Sequence, residues 1–304
     1  MSTLSRLPLF LADILSSTEK IVTLQTDISL FTFFAVILIS VITCTYNAAG
    51  SLQRTLDSVG CQTYPAIEHL IIDGASTDNT LALAEAYRQA QSSDKSRRVL
   101  VTSEPDKGLY DAMNKGLQKA TGDYVLFLNA GDTFPSSETL ADVCRAAEAS
   151  LKSTGSLPAV LYGDTDIVDG NGHRLRSRRL RPPKHLSWLS FRQGMVVCHQ
   201  AFYVRTDLAR ETPYDLRYRF SADVDWCIRV MKHAKRQQLE LRNLNQVVAC
   251  YLEEGMTTRH HRASLVERFR VMTSHYGLLV TVGMHLWFVV RAIPLLFHRF
   301  KKND

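Results

Sequence analysis

The chain has 304 residues, 45% of them hydrophobic and 22% charged. That is enough for one large or two small domains with a sizeable core, and it excludes a disordered or fibrous chain. Lysine and arginine (36) exceed aspartate and glutamate (30), giving a net charge of +6. The excess is uneven: Arg174, Arg176, Arg178, Arg179, Arg181 and Lys184 form one block, and Arg299, Lys301 and Lys302 another. Nucleic acid, anionic lipid or a pyrophosphate-bearing substrate would each suit such blocks. The six cysteines (Cys44, Cys61, Cys144, Cys198, Cys227, Cys250) are scattered, with no C-x-x-C pair. They read as reduced core thiols of a cytosolic protein.

Leu30 to Thr43 is a long apolar stretch without the basic flank or small-residue cleavage site of a signal anchor, so its second half is expected to be a buried strand. Residues 1–36 are then an N-terminal extension. Helical patterns at Ser51–Cys61 and Thr77–Gln91 alternate with apolar runs at Ile67–Ile72 and Val99–Thr102, which implies right-handed β-α-β units and a parallel sheet. Leu109, Ala112, Met113, Gly116, Leu117 and Ala120 share one helical face, with Tyr110, Asp111, Asn114, Lys115, Gln118 and Lys119 on the other. Gly122 ends that helix, and Tyr124–Leu128 suits a strand covered on both faces. Ser150–Pro158 marks the end of the first half. Leu161–Val168, a D-G-N-G turn at Asp169–Gly172 and the basic strand after it form a hairpin on the main sheet. His199–Val204 reads as a strand, Ser221–His233 as a helix, Gln246–Leu252 as the last strand, and the chain is helical from Arg262 onward. In the apolar tail Gly277–Phe297, the uncharged stretch before Arg291 falls short of the ~20 residues a spanning helix needs, so the tail is expected to lie in a membrane interface, with a true span or an ordinary helix docked on the core as alternatives.

Several polar residues are brought to one edge by this order. Asn129, Gly131 and Asp132 follow a strand, at the C-terminal edge where ligands bind in open α/β sheets, and a carboxylate there suits a metal or a phosphate. Thr45 and Asn47 follow the first strand, Asp73 to Asp78 the second, and Glu104, Asp106 and Lys107 the third. Asp73 is placed to accept the imide N–H of a uracil-like base, while Ser76 and Asp78 would fix the turn or cap the next helix. Ser221 is a natural N-cap, which puts Asp223 in a helix's first turn, where the dipole favours the ionised form that a general base requires. Asp225 is two residues on and points elsewhere.

Four ordered segments now carry a resemblance: T-C-T-Y-N (Thr43–Asn47), D-G-A-S-T-D-N-T (Asp73–Thr80), E-P-D-K-G-L-Y-D-A-M-N-K-G (Glu104–Gly116) and L-N-A-G-D (Leu128–Asp132). Together they resemble glycosyltransferase family 2 over residues of about 38 to 260. The resemblance implies an α/β GT-A (Rossmann-like) fold, with a mixed, mostly parallel sheet flanked by helices, and inverting transfer from a nucleotide-diphospho-sugar. It implies a nucleotide-sugar site at Thr45, Asn47, Asp73, Ser76, Asp106, Lys107, Asn114 and Asn129, and a divalent metal, Mg²⁺ or Mn²⁺, at Asp132. Where the family often shows D-A-D-D, this chain keeps only the last acid. S-A-D-V-D-W (Ser221–Trp226) is similar to the family's E-D motif, which makes Asp223 the catalytic base with Ala222 where a Glu is frequent. His199, Gln200 and Trp226 would line the sugar or acceptor pocket, with Trp188 and Trp226 either stacking on a sugar or filling the core. Glu254 to Thr257 would be a loop closing on the nucleotide, hinged at Gly255.

The expected organisation is an extension over 1–36, a GT-A domain over 37–260 with a nucleotide-sugar half (37–150) and an acceptor half (151–260), and a membrane-associating helical tail over 261–304. The expected activity is sugar transfer from a UDP- or GDP-linked donor to a hydroxyl of a glycan on a polyprenyl diphosphate. It would take place in the cytoplasm, peripherally at the inner face of the plasma membrane, with no nucleic-acid partner. Two alternatives stand beside it. A nucleotidyltransferase would want a Gly-rich, Lys/Arg-bearing phosphate loop after the first strand, and T-C-T-Y-N-A-A-G lacks one. The other is a non-catalytic basic peripheral membrane-binding protein. A dehydrogenase is disfavoured because no G-x-G-x-x-G follows a strand.

Overall fold

The run Ile-Ser-Val-Ile-Thr-Cys-Thr is uncharged and rich in β-branched residues, and it forms β1 (Ile39–Thr45), buried along its whole length. The computed structural model describes residues 36–94, 96–253 and 261–300, without the side chains of 261 and 291–300. Outside the described residues lie the extension before Val36, the closing loop expected at Glu254–Thr257, and the terminal basic side chains of Arg299, Lys301 and Lys302. After β1 come α1 (Ala49–Gly60), β2 (Ile67–Asp73), α2 (Thr80–Gln91), β3 (Arg97–Ser103), α3 (Leu109–Lys119) and β4 (Tyr124–Phe127). These four strands run parallel in the order β3-β2-β1-β4, so all their C-terminal ends reach one edge.

Helix α3 covers β1 and β2 at close range. A Cβ on Gly116 would lie 2.6 Å from Ile42 Cγ2 and 3.1 Å from Ile72 Cγ1. Gly116→Ala is therefore expected to lose about 1–3 kcal/mol to overpacking, against a gain of ~1 kcal/mol in helix propensity. The net destabilisation would be read as a lower urea midpoint, and a raised midpoint would show that the contact yields.

The chain then forms α4 (Thr139–Thr154), β5 (Val160–Val168), β6 (Arg174–Ser177), 3₁₀ turns at Trp188–Gln193 and His199–Ala201, β7 (Phe202–Arg205), α5 (Thr206–Arg210), α6 (Ala222–Arg236), β8 (Leu241–Leu252), α7 (His261–Tyr276) and α8 (Leu278–Phe300). Strand β7 pairs antiparallel with β4 and β5, β6 pairs antiparallel with β5, and β8 pairs parallel with β5. The result is one mixed, mostly parallel sheet flanked by helices, as expected.

Four details differ from the sequence expectation. Helix α4 is additional, and Gly155 closes it at φ 75°, just inside the Ser150–Pro158 boundary. The strand expected from His199 begins only at Phe202, because His199–Ala201 forms a 3₁₀ turn. Strand β8 starts five residues earlier than Gln246, extended by its pairing with β5 from Val160↔Leu241 onward. The basic block is partly neutralised, with Arg174 on Asp166, Arg181 on Asp164 and Arg176 on Glu253.

All six cysteines are free. Cys44, Cys144, Cys198 and Cys227 are buried as expected, whereas Cys61 is exposed and Cys250 half-buried. Among the described residues no helix is long and apolar enough to cross a membrane. Helix α8 buries Thr281 and places His285 against Phe269, but exposes Leu279, Leu286, Trp287, Val289 and Val290.

Candidate active site

In-register pairing sets Thr45, Asp73 and Ser103 side by side at the C-terminal edge. Asp73 is 1% exposed. Its carboxylate accepts from Thr45 Oγ1 (2.9 Å), Ser103 Oγ (2.7 Å), Ser76 N (2.9 Å) and Ser76 Oγ. Burial acts to raise its pKa, but the Ser76, Ser103 and Thr45 donors outweigh it and hold the group below the ordinary carboxylate value. These four donors occupy the carboxylate's acceptor positions and fix the loop around it.

That loop is closed by Asn47, whose N–H donates to Ser76 Oγ (2.8 Å) and whose Oδ1 accepts from Thr77 N (2.9 Å). Asn47 (φ 48°) and Ala75 (φ 62°) both sit in the left-handed region, a conformation an alanine adopts only where its surroundings impose it. Asp106 accepts from Gly108 N (2.7 Å), and its carboxylate packs on Gly74, where a Cβ would lie 2.3 Å from Asp106 Oδ2 and displace it. Lys107 beside it is exposed.

The second half of the site is built at the end of β4. The turn Asn129–Asp132 is closed by Asp132 N donating to Asn129 O (2.9 Å), with Gly131 at φ 100°. Thr55 of α1 pins it, donating to Asp132 O (2.7 Å) and accepting from Gly131 N (2.8 Å), and Thr133 bridges to Cys250 in β8. Because β7 runs antiparallel to β4, the residues just before β7 fold back beside this turn. Gln200 Nε2 donates to Asp132 Oδ2 (3.0 Å), and Asn129 Nδ2 lies 3.2 Å from His199 Nε2. On the ring's other side His199 Nδ1 lies 3.5 Å from Asp223 Oδ2, and Tyr110 OH donates to Asp223 Oδ1 at 3.3 Å. One string, Tyr110, Asp223, His199 and Asn129, thus joins the first turn of α6 to the β4 turn.

The two carboxylates have opposite electrostatics. Burial pushes Asp132 up to about 6, only partly offset by the Gln200 hydrogen bond and the His199 charge. Burial also acts to raise Asp223, but the His199 hydrogen bond and charge, Arg268 and the Val224 N–H more than offset it and keep the group below the ordinary value.

Among the described residues no group of three or more His, Cys, Asp or Glu side chains is placed to hold a metal ion. What the site does offer is the Asp132 carboxylate and the buried Asn129 Oδ1, which has no hydrogen-bond partner. Two hard oxygen donors fit a Mg²⁺ or Mn²⁺ whose remaining positions are filled by diphosphate and water.

Three expected positions are corrected. Trp226 is fully buried, stacked on Tyr214 (4.8 Å) and edge-on to Phe127 and Phe202, so it presents no face to a sugar. The Asn114 side chain is spent on the Tyr214 backbone, donating to its carbonyl and accepting from its N–H, and does not reach a nucleotide. Ser221 occupies the N-cap position, yet its hydroxyl donates to Ser264 O instead of capping. Asp225 does point away, held by Arg229 and His275. Trp188 stacks on Tyr276. Tyr110 went unrecognised because helical periodicity puts it on the polar face, whereas it is buried against Tyr214 and hydrogen-bonded to Asp223. The Tyr within K-G-L-Y-D was its only sequence signal.

A parallel edge carrying successive polar loops, joined through β7 to a carboxylate on a helix N-terminus, has the arrangement of a GT-A glycosyltransferase. The profile of Glycosyl transferase family 2 matches residues 40–210, and the chain belongs to that family. It is 35% identical over 217 residues to the PGL/p-HBAD biosynthesis glycosyltransferase of Mycobacterium bovis (strain BCG / Pasteur 1173P2), covering 71% of this chain and 77% of that protein. It is 29% identical over 199 residues to the amylovoran biosynthesis glycosyltransferase AmsB of Erwinia amylovora, 64% of each chain. Its fold is similar to S. aureus TarS 1-349 in complex with UDP-GlcNAc (TM-score 0.60, 21% identity, 78% of this chain and 64% of that one). It is also similar to the mannosyltransferase PcManGT of Pyrobaculum calidifontis in complex with GDP-Man and Mn²⁺ (TM-score 0.55, 15% identity, 88% and 81%).

Proposed function

We propose that this glycosyltransferase moves a sugar from a UDP- or GDP-linked donor to a hydroxyl of a lipid-diphosphate-linked glycan, inverting C1, in the synthesis of a surface polysaccharide or glycolipid. The reading rests above all on the 3.5 Å approach of Asp223 and His199, which sets a partly buried, ionised carboxylate beside the β4 turn that carries Asp132. The donor half spans 37–150 and the acceptor half 151–260. Thr45, Asn47, Asp73 and Ser76 form the floor of the nucleotide pocket, with Asp106 and Lys107 over it. Asp223 takes the acceptor hydroxyl's proton, the oxygen attacks C1, and the C1–oxygen bond to the diphosphate breaks. His199 orients Asp223, and Gln200 orients Asp132.

A divalent cation held by Asp132 and Asn129 Oδ1 would supply charge neutralisation for the leaving diphosphate. Acceptor location is supported by α8, whose exposed Leu279, Leu286, Trp287, Val289 and Val290 suit the inner face of the plasma membrane. The nature of the acceptor is supported by the PGL/p-HBAD and amylovoran biosynthesis named for the relatives, and donor chemistry by the UDP-GlcNAc and GDP-Man complexes of the similar folds.

Nucleotide release from UDP- and GDP-sugars with Mn²⁺ or Mg²⁺ tests the reading. Slow hydrolysis of one donor, lost in Asp132→Ala, is expected. Silence across the panel together with no cation-dependent UDP or GDP binding would overturn it.

A further inference from the structure

The first turn of α6 places Asp223, yet the residues leading into that turn are not held by their own sequence. Ser221 does not cap, and three consecutive backbone N–H groups converge on a side chain from α7 instead. Glu267 accepts from Arg219 N (2.9 Å), Phe220 N (2.6 Å) and Ser221 N (3.1 Å). Ser221 Oγ donates to Ser264 O (3.2 Å), and about one turn beyond the cap His275 Nε2 lies 2.8 Å from Asp225 Oδ1. Helix α7 therefore grips α6 along the stretch that carries Asp223. It continues through Gly277 (φ 83°) directly into α8 with its exposed apolar residues.

We infer that Glu267 is a positioning residue for Asp223: an external carboxylate cap that fixes the start of α6 and makes the C-terminal helices a working part of the active site. The inference rests on the reading of Asp223 as general base. A carboxylate shared by three N–H groups is a charge-assisted clamp that neutral side chains reproduce poorly. Its loss would let the first turn shift, and a displacement on the order of 1 Å costs a reacting geometry about 10²-fold. The nucleotide loops at β1 to β3 lie elsewhere and would keep their shape.

The test uses the full chain, with turnover measured on whichever UDP- or GDP-sugar the wild type hydrolyses. Glu267→Ala is expected to lower kcat by about 10- to 100-fold with donor KM unchanged, and Glu267→Gln, which keeps one acceptor oxygen, to fall between it and wild type. Hydrogen exchange at the amides of Arg219, Phe220 and Ser221 should quicken in Glu267→Ala while β1, β2 and β4 keep their protection. In an Asp223→Asn background Glu267→Ala should add no further loss. A kcat within twofold of wild type, or unaltered exchange at the three amides, would overturn the inference. A matched loss of kcat and donor affinity would make Glu267 merely structural and overturn it too. Asp223→Asn run alongside separates the two failures: wild-type turnover in that variant refutes the base, whereas an inactive Asp223→Asn with a fully active Glu267→Ala refutes the clamp alone.

Discussion

In Asp223→Asn, sugar transfer is expected to slow by about 10²–10⁴-fold, the loss associated with a positioned general base, with nucleotide affinity held within about twofold. Asparagine keeps the shape and can still meet Tyr110 OH and the Val224 N–H, which reach Asp223 Oδ1 at 3.3 and 2.9 Å. What it cannot do is take a proton. Asp223 lies below the ordinary carboxylate value although burial opposes this, because His199, Arg268 and the Val224 N–H favour the charged form. It is therefore ionised throughout the neutral range, and the loss should be uniform from about pH 6 to 8 rather than a shifted optimum. The sign for stability follows from the same depression. The ionised group adds stability that is present above the unfolded carboxyl value and is lost as pH falls through the lower folded value. Steady-state kinetics with one identified donor settle the matter: an unchanged kcat with a raised donor KM would move Asp223 from proton transfer to binding.

Asp132→Asn should lower activity and raise the stability of the metal-free protein. Burial lifts the Asp132 carboxyl from 3.8 to about 6, and at pH above 7 holding it ionised costs about 3 kcal/mol. The sign is opposite to that of Asp223. With the folded value raised, the group's contribution is fully present below the unfolded value and disappears as pH rises through about 6. Thermal melts at pH 8 should show the variant gaining roughly 2–4 °C per kcal/mol recovered, and melts at pH 4 little change. Cation-dependent nucleotide binding should weaken by more than about tenfold, since a charged carboxylate donor is replaced by a neutral amide oxygen. Equal melting temperatures for wild type and variant at pH 8 would show that the carboxylate is not strained by burial. On the proposed function, stability is sacrificed at this residue in exchange for a charge that meets the ligand.

Much of the sheet was legible. β1, β2 and β4 are covered on both faces, and such strands print themselves as unbroken apolar runs. The order of motifs after those runs placed Thr45, Asp73, Asp106 and Asp132 at one edge, because parallel strands bring successive C-terminal ends together. Asp223 in a first helical turn was equally readable from Ser221 and the pattern that follows. By contrast, nothing local separates His199 in a 3₁₀ turn from His199 in a strand. Nor does periodicity say that Tyr110 is buried by Tyr214, that Asn114 is tied to the backbone of Tyr214, or that Trp226 is sealed among Phe127, Phe202 and Tyr214. The arginines of β6 and of the stretch after it looked like a free basic face until Asp164, Asp166 and Glu253 were found beside them.

By itself, then, the sequence determined the succession of strands and helices, the edge on which ligands meet the sheet, and which carboxylates stand there. Local patterning carries that information because each element's buried face is written in its own residues. Only the tertiary structure decided which side chains meet: β7 against β4 brings His199 and Gln200 to the Asn129–Asp132 turn, and α7 against α6 sets Glu267 on the N–H groups before Asp223. Those contacts join residues 46 to 70 positions apart, and a periodic pattern records that a face is covered without recording what covers it.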